Sequence, residues 1–309
     1  MTEDKGTVGF VGVGNAGWPM AANLVRAGFS LVVYDVDHER AARFAEEFGA
    51  GAAAELGDLA SVDTLFTMVP DGHVVRSILF GPERLAERLA EGTVVIDTSS
   101  SDPDGTRALG ADLAEHGVIL IDSAVSVPEV GGAHGARITF MVGADDEAAL
   151  DRVRPLLEAM SEHVFHMGGL GAGHTMKTLN NYISAAGLYG ALDALVIGYR
   201  YGLDPMTMLD VLNVSTGRNF STEQTLKYHS LPRAFDTGYT LALLVKDLRI
   251  AAAVAERAGF EGELFELLVN DFQAAVDDLG GGADLTAALV HWEHRAGVEL
   301  PAASVPEHV

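Results

Sequence analysis

The chain contains no cysteine, so disulfides, thiolate metal sites and cysteine nucleophiles are all excluded. It is also poor in positive charge. Lys and Arg number 20 against 44 Asp and Glu, a formal net charge of −24 at pH 7. That balance argues against general affinity for nucleic acid or for an anionic membrane, both of which attract basic surfaces. An anionic substrate would have to be drawn in by a few local donors against the field of the whole molecule. No segment reads as long and apolar enough to span a bilayer, because the best candidate is interrupted by Asp193 and by glycines. The first residues, Met1 to Gly6, are charged and run directly into a strand-like stretch, so no secretory signal is read there. These absences leave a cytoplasmic enzyme or binding protein. At 309 residues, 48% apolar and 21% charged, the composition is globular and the length suits one large domain or two ordinary ones.

The first half carries the pattern of a nucleotide-binding α/β domain. Residues 7–11 form a short apolar run with β-branched side chains, a buried strand by pattern. Gly12, Val13, Gly14, Asn15, Ala16 and Gly17 follow with G-x-G-x-x-G spacing, then a helical pattern that Gly28 closes as a C′ residue. A second strand over 30–35 ends on Asp35, about 20 residues past the glycines. Such glycines permit a tight turn and let backbone approach a pyrophosphate, the helix N-terminus offers N–H groups, and the acid accepts from a ribose hydroxyl. An ordinary glycine turn is the competing reading, and the strand, helix and acid in register argue against it. Asp35 would repel a 2′-phosphate and the nearest cation is Arg40. NAD is therefore favoured, with NADP left open.

Strand-like runs continue at 64–69, 93–96, 118–121 and 138–142, separated by helical patterns, which predicts a doubly wound, largely parallel sheet. Ligands of such sheets bind at the carboxyl ends of strands. Two ends stand out, Val69-Pro70 and the serine run through Ser100; the latter reads equally as a helix N-cap before Pro103. Residues 122–136 read as a long glycine- and hydroxyl-rich turn, either a flexible connection or a presenter of N–H donors to an anion.

After a glycine cluster at 168–173 strand patterns vanish. Helical patterns follow over 205–214, 239–258, 262–279 and 283–296, the first introduced by Asp204 as N-cap and Pro205. The expected fold is thus a Rossmann-type domain over 1–168, an all-α domain over 169–298 and a disordered tail over 299–309, with a long central helix joining the domains. His291 and His294 have i, i+3 spacing, yet no third ligand is suggested and no metal is expected. Lys246 and Asp247 interrupt an apolar stretch, and a solvated helix face is the bland account of them. The segment that opens the central helix carries Lys177 and, four residues on, Asn181, which a helix places on one face. Beyond them residues 185–199 are apolar on every side except for Asp193, the pattern of a helix buried all round. A lysine at the mouth of such a helix is paired, solvated or there for chemistry.

With these pieces assembled, the chain from Val8 to about Arg295 resembles the β-hydroxyacid dehydrogenase family, and within it the members that act on 3-hydroxyisobutyrate. The segment from Gly12 to Leu24 is similar to the family's N-terminal signature, Asp122 to Ser126 to its substrate loop, Gly171 to Asn181 to its catalytic segment, and Lys246-Asp247-Leu248 to its C-terminal contact region. The resemblance implies an NAD(P)-dependent dehydrogenase of small anionic hydroxyacids. It implies Lys177 as general acid/base and Asn181 as substrate holder. Ser126 and the N–H groups near Gly131 and Gly132 would take the substrate carboxylate. Val69, Pro70 and Ser100 would line the cofactor site, with Lys246 closing over it and Asp247 near the substrate. It also implies a homodimer or homotetramer built through the helical half. The chain departs from the family in having Val-Pro-Glu-Val between Ser126 and Gly131, and Val74 in place of a frequent Asn.

The chemistry that follows is removal of a hydride from the carbinol carbon while Lys177 takes the hydroxyl proton. A free lysine titrates near about 10.4, so such a base needs its pKa lowered by desolvation or a neighbouring cation. The sequence leaves other outcomes open. They are a reductase of semialdehydes or four-carbon sugar acids (tartronate semialdehyde, threonate), an imine reductase, and an inactive dinucleotide-binding scaffold.

Overall fold

The computed structural model describes residues 6–126 and 138–304. The chain divides into two compact units, Met1–Lys177 and Thr178–Val309, against an expected boundary after residue 168.

The first unit is built from β1 (Thr7–Val11), α1 (Gly17–Arg26), β2 (Ser30–Tyr34), α2 (His38–Phe48), β3 (Gly51–Ala52), β4 (Thr64–Thr67), α3 (Gly72–Phe80), β5 (Val94–Asp97), α4 (Pro103–Ala114), β6 (Ile119–Ser126), β7 (Thr139–Gly143), α5 (Glu147–Met160) and β8 (His163–Gly168). The strands form one eight-stranded sheet of order β3-β2-β1-β4-β5-β6-β7-β8. All neighbours are parallel except β6 and β7. Strand order reverses beside β1, which opens the ligand-binding crevice of a doubly wound sheet at the carboxyl ends of β1 and β4. The inner strands β1, β2, β4 and β5 are largely apolar because helices cover both faces: Phe10, Val33, Phe66 and Ile96 are fully buried.

Three expectations change. Strands β3 and β8 have no apolar pattern to announce them; β3 has two exposed residues and β8 is a largely exposed edge. Residues 122–126, read as the start of a turn, belong to β6 and pair in antiparallel register with β7, Ser126 opposite Thr139. The cap of α4 is not a serine but Asp102, whose side chain accepts from the Gly105 N–H at 3.0 Å.

Helix α6 (Ala172–Arg200) passes from the first unit into the second. There it is followed by α7 (Pro205–Asn213), a π-helical stretch (Ser221–Ser230), α8 (Leu241–Arg257), α9 (Glu263–Leu279) and α10 (Ala288–Ala296). The π-helical stretch was not read from the sequence, since its wider winding breaks the 3.6-residue period. Leu188, Leu192 and Leu195 of α6 are buried with Leu244, Phe272 and Trp292 in the core of this unit. Helix α6 is nevertheless not buried all round, for Ile183 and Ile197 are 66% and 57% exposed. Composition tells that a helix is apolar, not which of its faces the rest of the chain covers. By length and composition α6 also qualifies as a membrane span, its best window having a mean hydropathy of 1.2 with 39% buried. Asp193 and the glycines do not exclude it as the sequence argument held. In the fold Asp193 accepts from the Trp292 indole N–H at 2.8 Å.

The expected tail is anchored where it begins. Leu300 is buried, its N–H donates to Glu293 at 2.7 Å and its carbonyl accepts from Arg233 at 2.8 Å. Arg233 in turn grips Glu293 with both terminal nitrogens. Residues 305–309 lie outside the described part.

The start of α6 is held by a residue far away in sequence. Asp122, in β6 and fully buried, accepts from the backbone N–H groups of Gly171 at 2.6 Å and His174 at 2.7 Å. Burial pushes its carboxyl up, and the neighbouring His174 and these two N–H bonds pull it back. A helix cannot satisfy its own first N–H groups, so Asp122 does for α6 what an N-cap does elsewhere. Replacing it by Ala leaves two buried donors without partners. We expect Asp122→Ala to lower the free energy of unfolding by about 2–4 kcal/mol in chemical denaturation.

Candidate active site

The glycine turn after β1 forms as the spacing predicts. Gly12 has φ +95° and an added Cβ would run into the Met68 carbonyl; one on Gly17 would meet the Gly12 carbonyl. At Gly14 an added Cβ would meet nothing within 4 Å. That glycine leaves room for something other than protein. Helix α1 begins at Gly17, its N-cap Ala16 gives no side-chain cap and its first turn carries no acid, so its N–H end is open to an anion. Asn15 is exposed at the turn. Val13 is fully buried and its N–H donates to Asp35 Oδ2 at 2.9 Å, so neither its side chain nor its N–H reaches out. Its part in the turn is to hold Asp35.

Asp35, just past β2 and 5% exposed, also accepts from the Asp37 N–H at 2.9 Å. Arg40 lies 3.5 Å from Asp35 and 3.2 Å from Asp37. The nearest cation is thus already shared by two carboxylates. An open cradle at Gly14, a helix N-terminus and an acid beyond the second strand together fit a dinucleotide.

The ends of β4 and β5 are tied together beneath Val69, Pro70 and Ser100. Val69 N–H donates to Ser99 Oγ at 3.1 Å, and buried Asp97 accepts from Thr67, the Ser99 N–H and Ser101 at 2.9–3.0 Å. Pro70 is exposed and Ser100 partly so; the serines on either side of Ser100 are taken up internally. His174, in the first turn of α6, is buried against the same place. Its Nδ1 lies 2.8 Å from Thr106 Oγ1 and its Nε2 3.8 Å from Asp97. The Thr106 hydroxyl donates to the Asp102 carbonyl, so the imidazole Nδ1 is the donor to Thr106. The first turns of α6, which lead to Lys177, are therefore seated against the carboxyl end of β5 and the middle of β6. A groove of about 720 Å³ lined by Arg107, Gly110, Leu120, Asp145, Leu170 and Ala172 reaches the first residue of α6 but takes in neither His174 nor Lys177.

In the second unit the charged pair of α8 is not a solvated face. Asp247 is 6% exposed. Its Oδ2 accepts from Asn181 Nδ2 at 2.7 Å and from the Tyr239 hydroxyl at 2.5 Å, and its Oδ1 lies 3.2 Å from Lys246 Nζ. Burial, with the Asp247 charge beside it, raises the Tyr239 phenol well above its ordinary range, so it stays a donor. Asn181 stands one helical turn after Lys177 on α6. Ser126 sits at the last position of β6, whereas Gly131 and Gly132 lie outside the described residues. His291 and His294 both bond to Asp278, at 2.8 and 2.9 Å, and hold its carboxyl below the ordinary carboxylate range. Among the described residues no three His, Cys, Asp or Glu are grouped to hold a metal ion.

Residues 7–169 match the family model of the NAD-binding domain of 6-phosphogluconate dehydrogenase. Residues 171–292 match that of the NAD-binding domain of NADP-dependent 3-hydroxyisobutyrate dehydrogenase. The 3-hydroxyisobutyrate dehydrogenase of Pseudomonas aeruginosa is 33% identical over 271 residues, 86% of this chain and 90% of that one. The chain belongs to the β-hydroxyacid dehydrogenase family. The 2-(hydroxymethyl)glutarate dehydrogenase of Eubacterium barkeri is 28% identical over 95% of this chain and 97% of its own. Among solved structures, the 3-hydroxyisobutyrate dehydrogenase of Mycobacterium tuberculosis with L-serine superposes with a TM-score of 0.81 at 29% identity, covering 93% of this chain and 98% of that one. The protein is accordingly an NAD(P)-dependent oxidoreductase acting on the CH–OH group of hydroxyacids, and its Rossmann-type unit followed by a helical one is the arrangement expected.

Sequence reading missed Tyr239 and His174 in this dehydrogenase. Tyr239 precedes the start of α8, and only folding brings it to Asp247. His174 was in view inside the catalytic-type segment, but a lone histidine on an apolar helix carries no signal of its own. The glycine turn yields a clean contrast. Gly14→Ala should leave thermal unfolding unchanged and weaken NAD⁺ binding at least about tenfold, because only the pyrophosphate approach needs its missing side chain. Gly17→Ala should cost about 1–3 kcal/mol of stability, because its Cβ strikes backbone. Denaturation and cofactor titration of the two variants check both.

Proposed function

We propose that this dehydrogenase oxidises 2-substituted 3-hydroxypropanoates, with Lys177 as general acid/base. The observation that carries the reading is the pairing of Lys177 and Asn181 one turn apart on α6, whose first turns are seated against the carboxyl end of β5 and the middle of β6. The substrate class follows from the relatives' names. 3-Hydroxyisobutyrate, 2-(hydroxymethyl)glutarate and L-serine all have a primary alcohol two carbons from a carboxylate and differ only in the group on the carbon between.

The nicotinamide, when bound, supplies the hydride acceptor for the alcohol carbon. Gly12, Gly14, Asn15, Ala16 and Gly17 would cradle its pyrophosphate and Asp35 its adenosine ribose, with Val69, Pro70, Ser100 and Lys246 as further cofactor contacts. As hydride leaves the carbinol carbon, Lys177 takes the hydroxyl proton. In the reverse direction it returns that proton to the developing alkoxide. Asn181 orients the hydroxyl without adding charge. Ser126, with Gly131 and Gly132, would take the carboxylate.

NAD is preferred over NADP in this reading. Asp35 repels a 2′-phosphate, and Arg40 is held by two carboxylates rather than offered to one. The enzyme is soluble, in keeping with its dehydrogenase relatives; we place it in the cytoplasm, with no nucleic-acid or membrane partner. It would be a homodimer or homotetramer through the helical unit, where Ile183 and Ile197 leave α6 bare.

Lys177→Ala should lower kcat about 10²- to 10⁴-fold while NAD⁺ affinity holds. Turnover near that of the wild type, followed by nicotinamide absorbance over a panel of hydroxyacids, semialdehydes and cyclic imines, would sink the assignment. Asp35→Ser should raise kcat/KM with NADP relative to NAD by at least about tenfold, since a like-charge contact is removed. An unchanged ratio would place cofactor choice elsewhere.

A further inference from the structure

We infer that Asp247 and Tyr239 are positioning residues that lock the Asn181 carboxamide in one orientation, and that Asp247 does not bind the substrate. The inference rests on the proposed role of Asn181. A carboxylate only accepts hydrogen bonds. The Asn181 edge that meets Asp247 Oδ2 at 2.7 Å must therefore be its NH₂, and the Tyr239 hydroxyl at 2.5 Å must donate to the same oxygen. With one N–H committed, the amide cannot flip without setting its own carbonyl against a buried carboxylate. Its carbonyl oxygen then lies at the far end of the group, where Asn180 Nδ2 approaches only to 3.4 Å. The second N–H and this oxygen keep fixed directions. A substrate hydroxyl or alkoxide meets a group already oriented, which is where positioning lowers a barrier.

Asp247 is badly placed for the substrate-binding part that sequence similarity suggested. It is 6% exposed. Tyr239, Asn181 and Lys246 occupy three of its roughly four acceptor directions. The substrate class is anionic, and a buried carboxylate repels the substrate's own carboxylate. Tyr239 completes the device: a phenol on the same oxygen as the amide holds the carboxylate's rotation, so that the bond to Asn181 keeps one direction.

A double-mutant cycle tests the link. Asp247→Asn, Asn181→Ala and the double variant are assayed for kcat and KM with the best substrate of the panel, with NAD⁺ affinity and thermal unfolding as controls of folding. Asp247→Asn is expected to lower kcat about 10- to 100-fold, with little change in KM. In the Asn181→Ala background the same change should have almost no further effect, since a shared pathway makes the losses non-additive. Tyr239→Phe, which removes a single oxygen, serves if Asp247→Asn does not fold. It should lower kcat by about threefold to tenfold and show the same non-additivity. Losses that multiply, or a loss confined to KM, would overturn the positioning role and leave the Lys177 assignment intact. Wild-type turnover in Asn181→Ala would overturn the role of Asn181 and with it this inference. The Lys177→Ala result is independent of both.

Discussion

Asp122 takes up two backbone N–H groups that α6 cannot satisfy for itself, those of Gly171 and His174, and much of the molecule's design hangs on that one carboxylate. A buried acid is costly unless its oxygens are hydrogen-bonded, and here the bonds come from the N-terminus of the helix that carries Lys177. One side chain thereby joins β6 to the helix of the proposed acid/base. His174 adds a second tie from the same turn to α4 through Thr106 and towards Asp97 at the end of β5. The first turns of α6 are consequently fixed to the sheet beside the carboxyl end of β5.

The cofactor end follows a different logic, in which space matters more than bonds. Gly12 and Gly17 are small because the protein's own backbone approaches them, and Gly14 is small although nothing of the protein does. Val13 holds Asp35 by its N–H, so turn and acid form one rigid piece. In the helical unit the polar groups instead gather on Asp247, and the order among them comes from which groups donate and which only accept. Asp247 fixes the direction of the Asn181 amide through the bond it accepts.

Much of this was legible in the residues. The alternation of short apolar runs with helical patterns, the glycine spacing with Asp35 beyond it, and the Lys177–Asn181 interval all translate into structure because each is a local rule of period or turn. Errors arose where local rules are silent. Strand β8 is an exposed edge without apolar alternation, β6 runs on through polar Asp122, Ser123 and Ser126 because its partners β5 and β7 exist, and the π-helical stretch has no period to read. Leu300 looked like the start of a loose tail, yet Arg233 and Glu293, over sixty positions and seven positions before it, hold it.

The amino-acid sequence by itself determined most of the elements, the cofactor class and the chemistry available, since these depend on residue type and short spacing. Only tertiary structure decided which carboxylates are buried and what they hold. Asp122, Asp97 and Asp247 look alike in the chain. Burial and donors brought from afar make the first a helix cap, the second a tie between strand ends and the third a clamp on Asn181. Hydrogen-bond partners separated by 49 to 66 positions lie beyond any local pattern, because it is the packing of the whole core that brings them within reach.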